Sequence, residues 1–424
     1  MYYRLLCLLL LLSPIPVTAG SETHEKGPNR TGITLAEALA AVLEHNPSIQ
    51  VADYETGIAT ARIRSEQLSK PYRTSIELEN FAGSGELDGT AGMETTLSLS
   101  KVLEFGDKAE LRGVVAQGQA GLLQGEQAAR QLDLFAQTAN NFIHVVVDQS
   151  RLDITGMSLD IANRTREAVA TRVNAGKSAK AELRKASIEV ARKQLAVEHA
   201  EHELQSSRVR LAVMWSETRP GFDEARADIF DIEKLMPFED LVELLDRNPE
   251  LVRYATQERL NHSRVKLASS RSSPDVVING GVRHMNSSDD TALVFSLDIP
   301  LSSSSRSAPY TEQAKLAQMR DPYLLQKRRL ELYSTLFEVY QEALHTITEV
   351  DILRDTIIPE AEKVLQEIEK GYLLGRYSFL ELTTAQNELT ESRLELLSAA
   401  SNYHQFRFEI DRLTGAAFVT GAKQ

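Results

Sequence analysis

The chain has 424 residues, of which 25% are charged, and its formal net charge is −13. That length leaves room for two or three globular domains, and the acidic balance argues against nucleic acid as a partner. The only cysteine is Cys7, near the N-terminus, so neither a disulfide framework nor thiol chemistry is open to the rest of the chain.

Residues 1–19 read as a secretory signal peptide. Arg4 precedes the run Leu5–Leu12, which is broken only by Cys7, and Ser13, Pro14, Pro16 and the small residues Thr18, Ala19 and Gly20 follow. Cys7 lies inside the apolar core rather than behind it, which speaks against lipidation. Further on there is no apolar run of the ~18 residues that a spanning helix needs. Any membrane segment must therefore be of another kind.

A helix starts near Thr34, with Glu37 three residues on as a capping box. Asn46-Pro47 ends it, and a second helix runs from Ser48 to Leu68. Polar and apolar residues then alternate over Thr74–Phe81 and Met93–Ser100, flanking a Gly-rich acidic turn, as in a β-hairpin. From Gly106 to Asn174 there is no proline, and a helix of that span reaches about 100 Å at ~1.5 Å per residue. Gly176 reverses the chain into a return helix over 178–214, and 217–235 reads as a linker.

The same order then recurs. AEALAAVLEHNPSI at 36–49 matches FEDLVELLDRNPEL at 238–251, and VNAGKSAKAELRKA at 173–186 matches YLLGRYSFLELTTA at 372–385. The expected units are a first repeat, 34–216, a second repeat, 236–415, and a tail, 416–424. The second hairpin is Val276–Arg283 with Ala292–Ile299. The Ser302–Ser305 run reads as a flexible re-entry turn. Pro322 and Pro359 predict kinks in the second long helix. Gly375 makes the second reversal, and the return helix covers 377–413. The halves differ in detail: Lys177 and Lys180 stand where the second half has Arg376 and Phe379, and Pro359 corresponds to Asp160.

Four strands of about eight residues cannot close a barrel, and an open edge is not tolerated in lipid. Sharing among copies resolves this, and three copies give twelve strands. Ile76, Leu78, Leu97 and Leu99 would face outward, and Glu77 and Glu79 would face a wet lumen.

The signal segment, the duplication, LEFGDKAELR after the first hairpin, IPLSSSSRS after the second and a GxxxxxEL turn in each half together resemble the TolC-type outer-membrane efflux proteins. The resemblance covers 34–415, and its LEFG-plus-basic segment leans toward the heavy-metal (cobalt–zinc–cadmium) branch. It implies a mainly α fold with a small β part. A homotrimer would carry a 12-stranded β-barrel in the outer membrane of a Gram-negative bacterium, continued by a long α-helical barrel in the periplasm. Its expected partners are outer-membrane lipid, a periplasmic adaptor protein and an inner-membrane RND-type pump. Such a duct conducts passively and needs no cofactor. Ducts for organic drugs or type I protein secretion, or a non-pore coiled-coil scaffold, are the alternatives.

By matching position, Glu182 and Glu381 would be gate carboxylates, with Lys185 and Thr384 one turn away. Six carboxylates in a trimer would favour cations and raise one another's pKa. The turns would meet the adaptor through Arg172, Val173, Gly176, Tyr372, Leu373 and Gly375. His199 and His202 have possible metal spacing, but the stretch around them is polar on all sides, which favours solvated exposure. No GxSxG, HExxH or phosphate loop occurs, so no enzymatic activity is expected.

Overall fold

The computed structural model describes residues 30–301 and 303–415; the expected signal segment and the tail lie outside them. The first half holds β1 (Arg30–Ile33), α1 (Leu35–His45), α2 (Pro47–Glu66), β2 (Tyr72–Glu79), β3 (Glu94–Leu103), α3 (Lys108–Asn174) and α4 (Lys180–Val213). β4 (Phe222–Ala225) precedes the second half: α5 (Phe238–Leu245), α6 (Pro249–Ser270), β5 (Val276–Met285), β6 (Asp290–Asp298), α7 (Ser303–Ile352), α8 (Ile358–Leu373) and α9 (Phe379–Thr414).

The Thr34–Glu37 capping box is present and starts α1. The segment before α1 pairs with the expected linker: β1 runs parallel to β4. Ile33, Phe222 and Ala225 are buried in the core there. The side-chain amide of Gln149 accepts from Ala225 N at 2.8 Å and donates to its carbonyl at 3.1 Å. A side chain thus satisfies strand-edge groups that would otherwise lack partners.

The other four strands form one antiparallel sheet in the order β2-β3-β5-β6. The β3–β5 pairing joins the two halves. At that seam Gly281 is required, since an added Cβ would lie 2.6 Å from the Leu97 carbonyl. One face carries Ile76, Leu78, Leu97, Leu99, Val282, Leu293, Phe295 and Leu297, all exposed. The other carries Ser75, Glu77, Glu79, Glu94, Thr96, Ser98 and Arg283. Thr96 and Ser98 are nevertheless buried.

α3 runs unbroken for 67 residues. In its counterpart, kinks or breaks are expected at Pro322 and Pro359. Pro322, and Pro309 as well, sit inside α7 without ending it. Beside Pro322, α7 is bonded laterally, Asn261 of α6 donating to Asp321 at 2.7 Å. The interruption falls at Leu353–Ile357, a single π-turn just before Pro359. Ser303–Ser305 is a correction: it forms the first turn of α7, not a loop. Ser303 Oγ donates to Pro300 O and Ser307 Oγ to Ser304 O, in keeping with serine's preference for helix starts. α7 also presents an exposed apolar row, Leu316, Met319, Tyr323 and Leu330, at heptad spacing.

The apolar core is divided. A large cluster around Phe142, Leu211, Trp215, Phe222 and Leu397 reaches Ile154 and Leu353. A separate cluster near the helical turns holds Val169, Leu365, Tyr372, Phe379, Leu382 and Leu389. Polar contacts cross between them, Ser158 with Thr390 (3.3 Å) and Gln386 with Thr165 (2.8 Å). A third cluster packs α5 onto α7 and α9.

Candidate functional site: the helical tips and the sheet junction

Both helical reversals have the same backbone. Gly176 and Gly375 adopt φ of +72° and +78°, and the N–H of the next residue returns to the carbonyl five back: Lys177 to Arg172 and Arg376 to Gly371, each 2.8 Å. This is a Schellman ending, where glycine carries no steric penalty.

The side chains do not repeat. Arg172 of the first tip reaches across to the second. Its Nη1 donates to the carbonyls of Tyr372 (2.7 Å) and Leu373 (2.9 Å), and its Nε donates to Ser178 Oγ (3.1 Å). Its guanidinium lies 4.8 Å from the centre of the Tyr372 ring. Two expected adaptor contacts therefore hold each other. Tyr372 is buried, and its hydroxyl points to Glu182 Oε2 at 3.4 Å. Burial, then the Glu182 charge, pushes the phenol above its ordinary range. Val173 is half-buried, whereas Gly176, Leu373 and Gly375 stand exposed at the end.

The two candidate gate carboxylates are equivalent in sequence but not in role. Glu381 closes a capping box: its Oε2 accepts from Ser378 N (2.7 Å) and Ser378 Oγ (2.8 Å). These bonds lower its pKa, first through the backbone N–H and then through the hydroxyl. α4 begins at Ala179 without a side-chain cap, which leaves Glu182 to Tyr372. Lys185 and Thr384 are both exposed one turn further on. His199 and His202 are exposed on α4, and among the described residues no group of three or more His, Cys, Asp or Glu side chains could hold a metal ion.

The LEFG-plus-basic segment turns out to be a joint. Arg112 grips Glu104 with two bonds (2.6 and 3.1 Å) and donates to the Glu66 and Leu68 carbonyls at the end of α2 (3.1 and 3.2 Å). Lys108 does the same for α6, bonding the Ser273 carbonyl (2.7 Å) and pairing with Asp275. Cations at helix C-termini satisfy carbonyls that lack partners and oppose the dipole. The motif thus ties both short helices to the strand leading into α3.

The Asn-Pro pairs, read from the sequence only as a helix end, have a second role. Asn46 Oδ1 caps α2 by accepting from Ser48 N (2.8 Å), and its Nδ2 donates to Met214 O (2.6 Å) at the end of α4. Asn248 does the same with Glu250 N (2.7 Å) and Leu413 O (2.7 Å) at the end of α9. The signal was present as NP in both repeats, but the partner lies at the far end of each repeat.

A duplicated pair of helical hairpins, with a four-stranded amphipathic sheet between them, defines the class. The chain belongs to the outer membrane efflux protein family, whose model matches residues 38–217 and again 241–416. It is 24% identical over 409 residues to the cobalt-zinc-cadmium resistance protein CzcC of Cupriavidus metallidurans, covering 88% of this chain and 97% of that protein. Among solved structures, CusC superposes with a TM-score of 0.74 at 15% identity, covering 90% of this chain and 91% of that one. The outer-membrane channel OprN gives 0.73 at 16%, covering 91% and 90%.

Proposed function

We propose that three copies of this chain form the exit duct of a tripartite efflux system that carries heavy-metal cations across the outer membrane. The observation that carries this reading is the sheet. It is apolar outside and polar inside, its edge strands β2 and β6 lack neighbours in the protomer, and it adjoins a helix of 67 residues. Lipid would leave those edges unsatisfied, and three sheets edge to edge close a 12-stranded barrel. The exposed heptad row on α7 supports assembly too, since Val51, Tyr54 and Ile58 of α2 form an exposed apolar row on which a neighbouring α7 can seat.

The duct is passive and has no catalytic step. Energy comes from an inner-membrane RND-type pump through a periplasmic adaptor seated on the helical tips. The name of the relative from Cupriavidus metallidurans supports cobalt, zinc and cadmium as cargo. Deleting the gene should sensitise the host to these ions and leave tolerance of organic drugs unchanged, read as inhibitory concentrations. Sensitisation to drugs alone would overturn the cargo. Purified protein that stays in solution without detergent and gives no conductance in lipid bilayers would overturn the duct.

Glu182 and Glu381 form the acidic ring of the periplasmic aperture in this reading. Glutamine at position 381 still serves a capping box, so Glu182→Gln with Glu381→Gln removes charge with little cost to the helix ends. The double variant should show a lower cation-over-anion permeability ratio in reversal-potential measurements. An unchanged ratio removes the ring from the mechanism.

A further inference from the structure

We infer that Arg283 sets the ionic preference of the sheet-lined end of the passage by neutralising Glu79 and Glu94. This inference rests on the duct reading above. The register of the sheet places Glu77, Thr96, Arg283 and Ala292 in one row, and Glu79, Glu94, Met285 and Asp290 in the next. All belong to the face opposite the exposed apolar side chains.

Glu79 and Glu94 are direct cross-strand partners, an arrangement that two like charges disfavour. Arg283 resolves it from the third strand. Its Nη1 donates to Glu94 Oε2 (2.7 Å), its Nη2 to Glu79 Oε2 (2.8 Å) and its Nε to Thr96 Oγ1 (2.9 Å). One planar cation therefore spans β2, β3 and β5, a geometry that a guanidinium fork supports and an ammonium does not. The Glu94 carboxylate is completed by Asn80 Nδ2 at 3.2 Å.

In the duct reading the apolar face opposite meets lipid. The polar face is not accounted for by packing, because Arg283, Glu79 and Glu94 all keep solvent access, with side-chain exposures of 30%, 40% and 23%. Their field therefore reaches the lumen. Across the two rows Glu77, Glu79, Glu94 and Asp290 are acidic, and Arg283 is the only basic side chain. Three copies make an acidic belt whose strength is set by whether the arginine is present. It lies at the opposite end of the strands from the helices, away from the tip carboxylates.

The test is the reversal potential of single channels in a salt gradient, at mildly alkaline pH to keep the carboxylates ionised. Arg283→Gln should raise the cation-over-anion permeability ratio by roughly two-fold or more near ~0.1 M salt. The gain should vanish near ~1 M, because the screening length falls from about 10 Å to about 3 Å. Arg283→Lys should stay near the parent. Glu79→Gln with Glu94→Gln should lower the ratio. Thr96→Val removes a hydrogen bond but no charge and should leave the ratio unmoved; a purely structural role for Arg283 predicts that it shifts.

Arg283→Gln channels with the parental ratio at low salt would overturn the inference. If that variant fails to assemble, the paired glutamate variant decides instead, and a parental ratio there overturns it equally. A parent protein that does not conduct overturns the duct reading itself, whereas a conducting parent with unresponsive variants overturns only the role of Arg283.

Discussion

Asn46→Ala should destabilise the protein by about 2–4 kcal/mol, the sum of a lost N-cap of ~1 kcal/mol and a buried carbonyl left unpaired at about 1–3 kcal/mol. Asn46 is buried and joins the start of α2 to the end of α4, so the surrounding structure offers no water to replace either bond. The twin variant Asn248→Ala should cost about as much by the same two losses, since its bonds have the same geometry. Aspartate separates the contributions. Asn46→Asp keeps the capping oxygen but has no donor for Met214, and it sets a carboxylate against a carbonyl. Thermal unfolding of detergent-solubilised protein, followed by circular dichroism, should show lower midpoints for both alanine variants. Midpoints within a degree or so of the parent would mean that neither carbonyl depends on its asparagine.

Arg172→Ala should loosen the tip. The change removes two charge-assisted bonds to the α8 carbonyls and the cation above Tyr372. Bonds of this kind contribute about 1.5–3 kcal/mol when shielded, and partial exposure here reduces that to ~1–2 kcal/mol. A difference of 1.4 kcal/mol is about tenfold in an equilibrium, so under the duct reading the open level should be visited roughly ten times more often. Arg172→Lys should fall between, because an ammonium lacks the fork that holds Ser178 and both carbonyls together. Single-channel open probability reads this directly. An alanine variant that opens no more often than the parent would show that the clamp does not hold the passage shut.

The elements themselves were largely legible. Alternation marked the two strands of the first hairpin, the repeat placed the two of the second, the Thr34–Glu37 box marked the start of α1, and the glycines at 176 and 375 marked both reversals. The bonding of the candidate site residues was not legible. Glu182 and Glu381 sit at equivalent sequence positions, yet a serine before one helix and an alanine before the other give them different partners. Arg172 bonds residues 200 and 201 positions away, and no local pattern encodes that. β1 and β4 are four residues each, too short for a period to register. Pro322 alone does not tell a kink from a break, and α7 continues through it.

The gap between the two apolar clusters has a consequence for how the molecule comes apart. The tip cluster is bounded by the π-turn and by hydroxyl and amide contacts. Such contacts contribute little cohesion compared with packed hydrocarbon. The tip is therefore its own cooperative unit, able to open while the larger core stays intact. The work of opening that end then falls on the tip's few buried side chains and the Arg172 clamp rather than on the larger core.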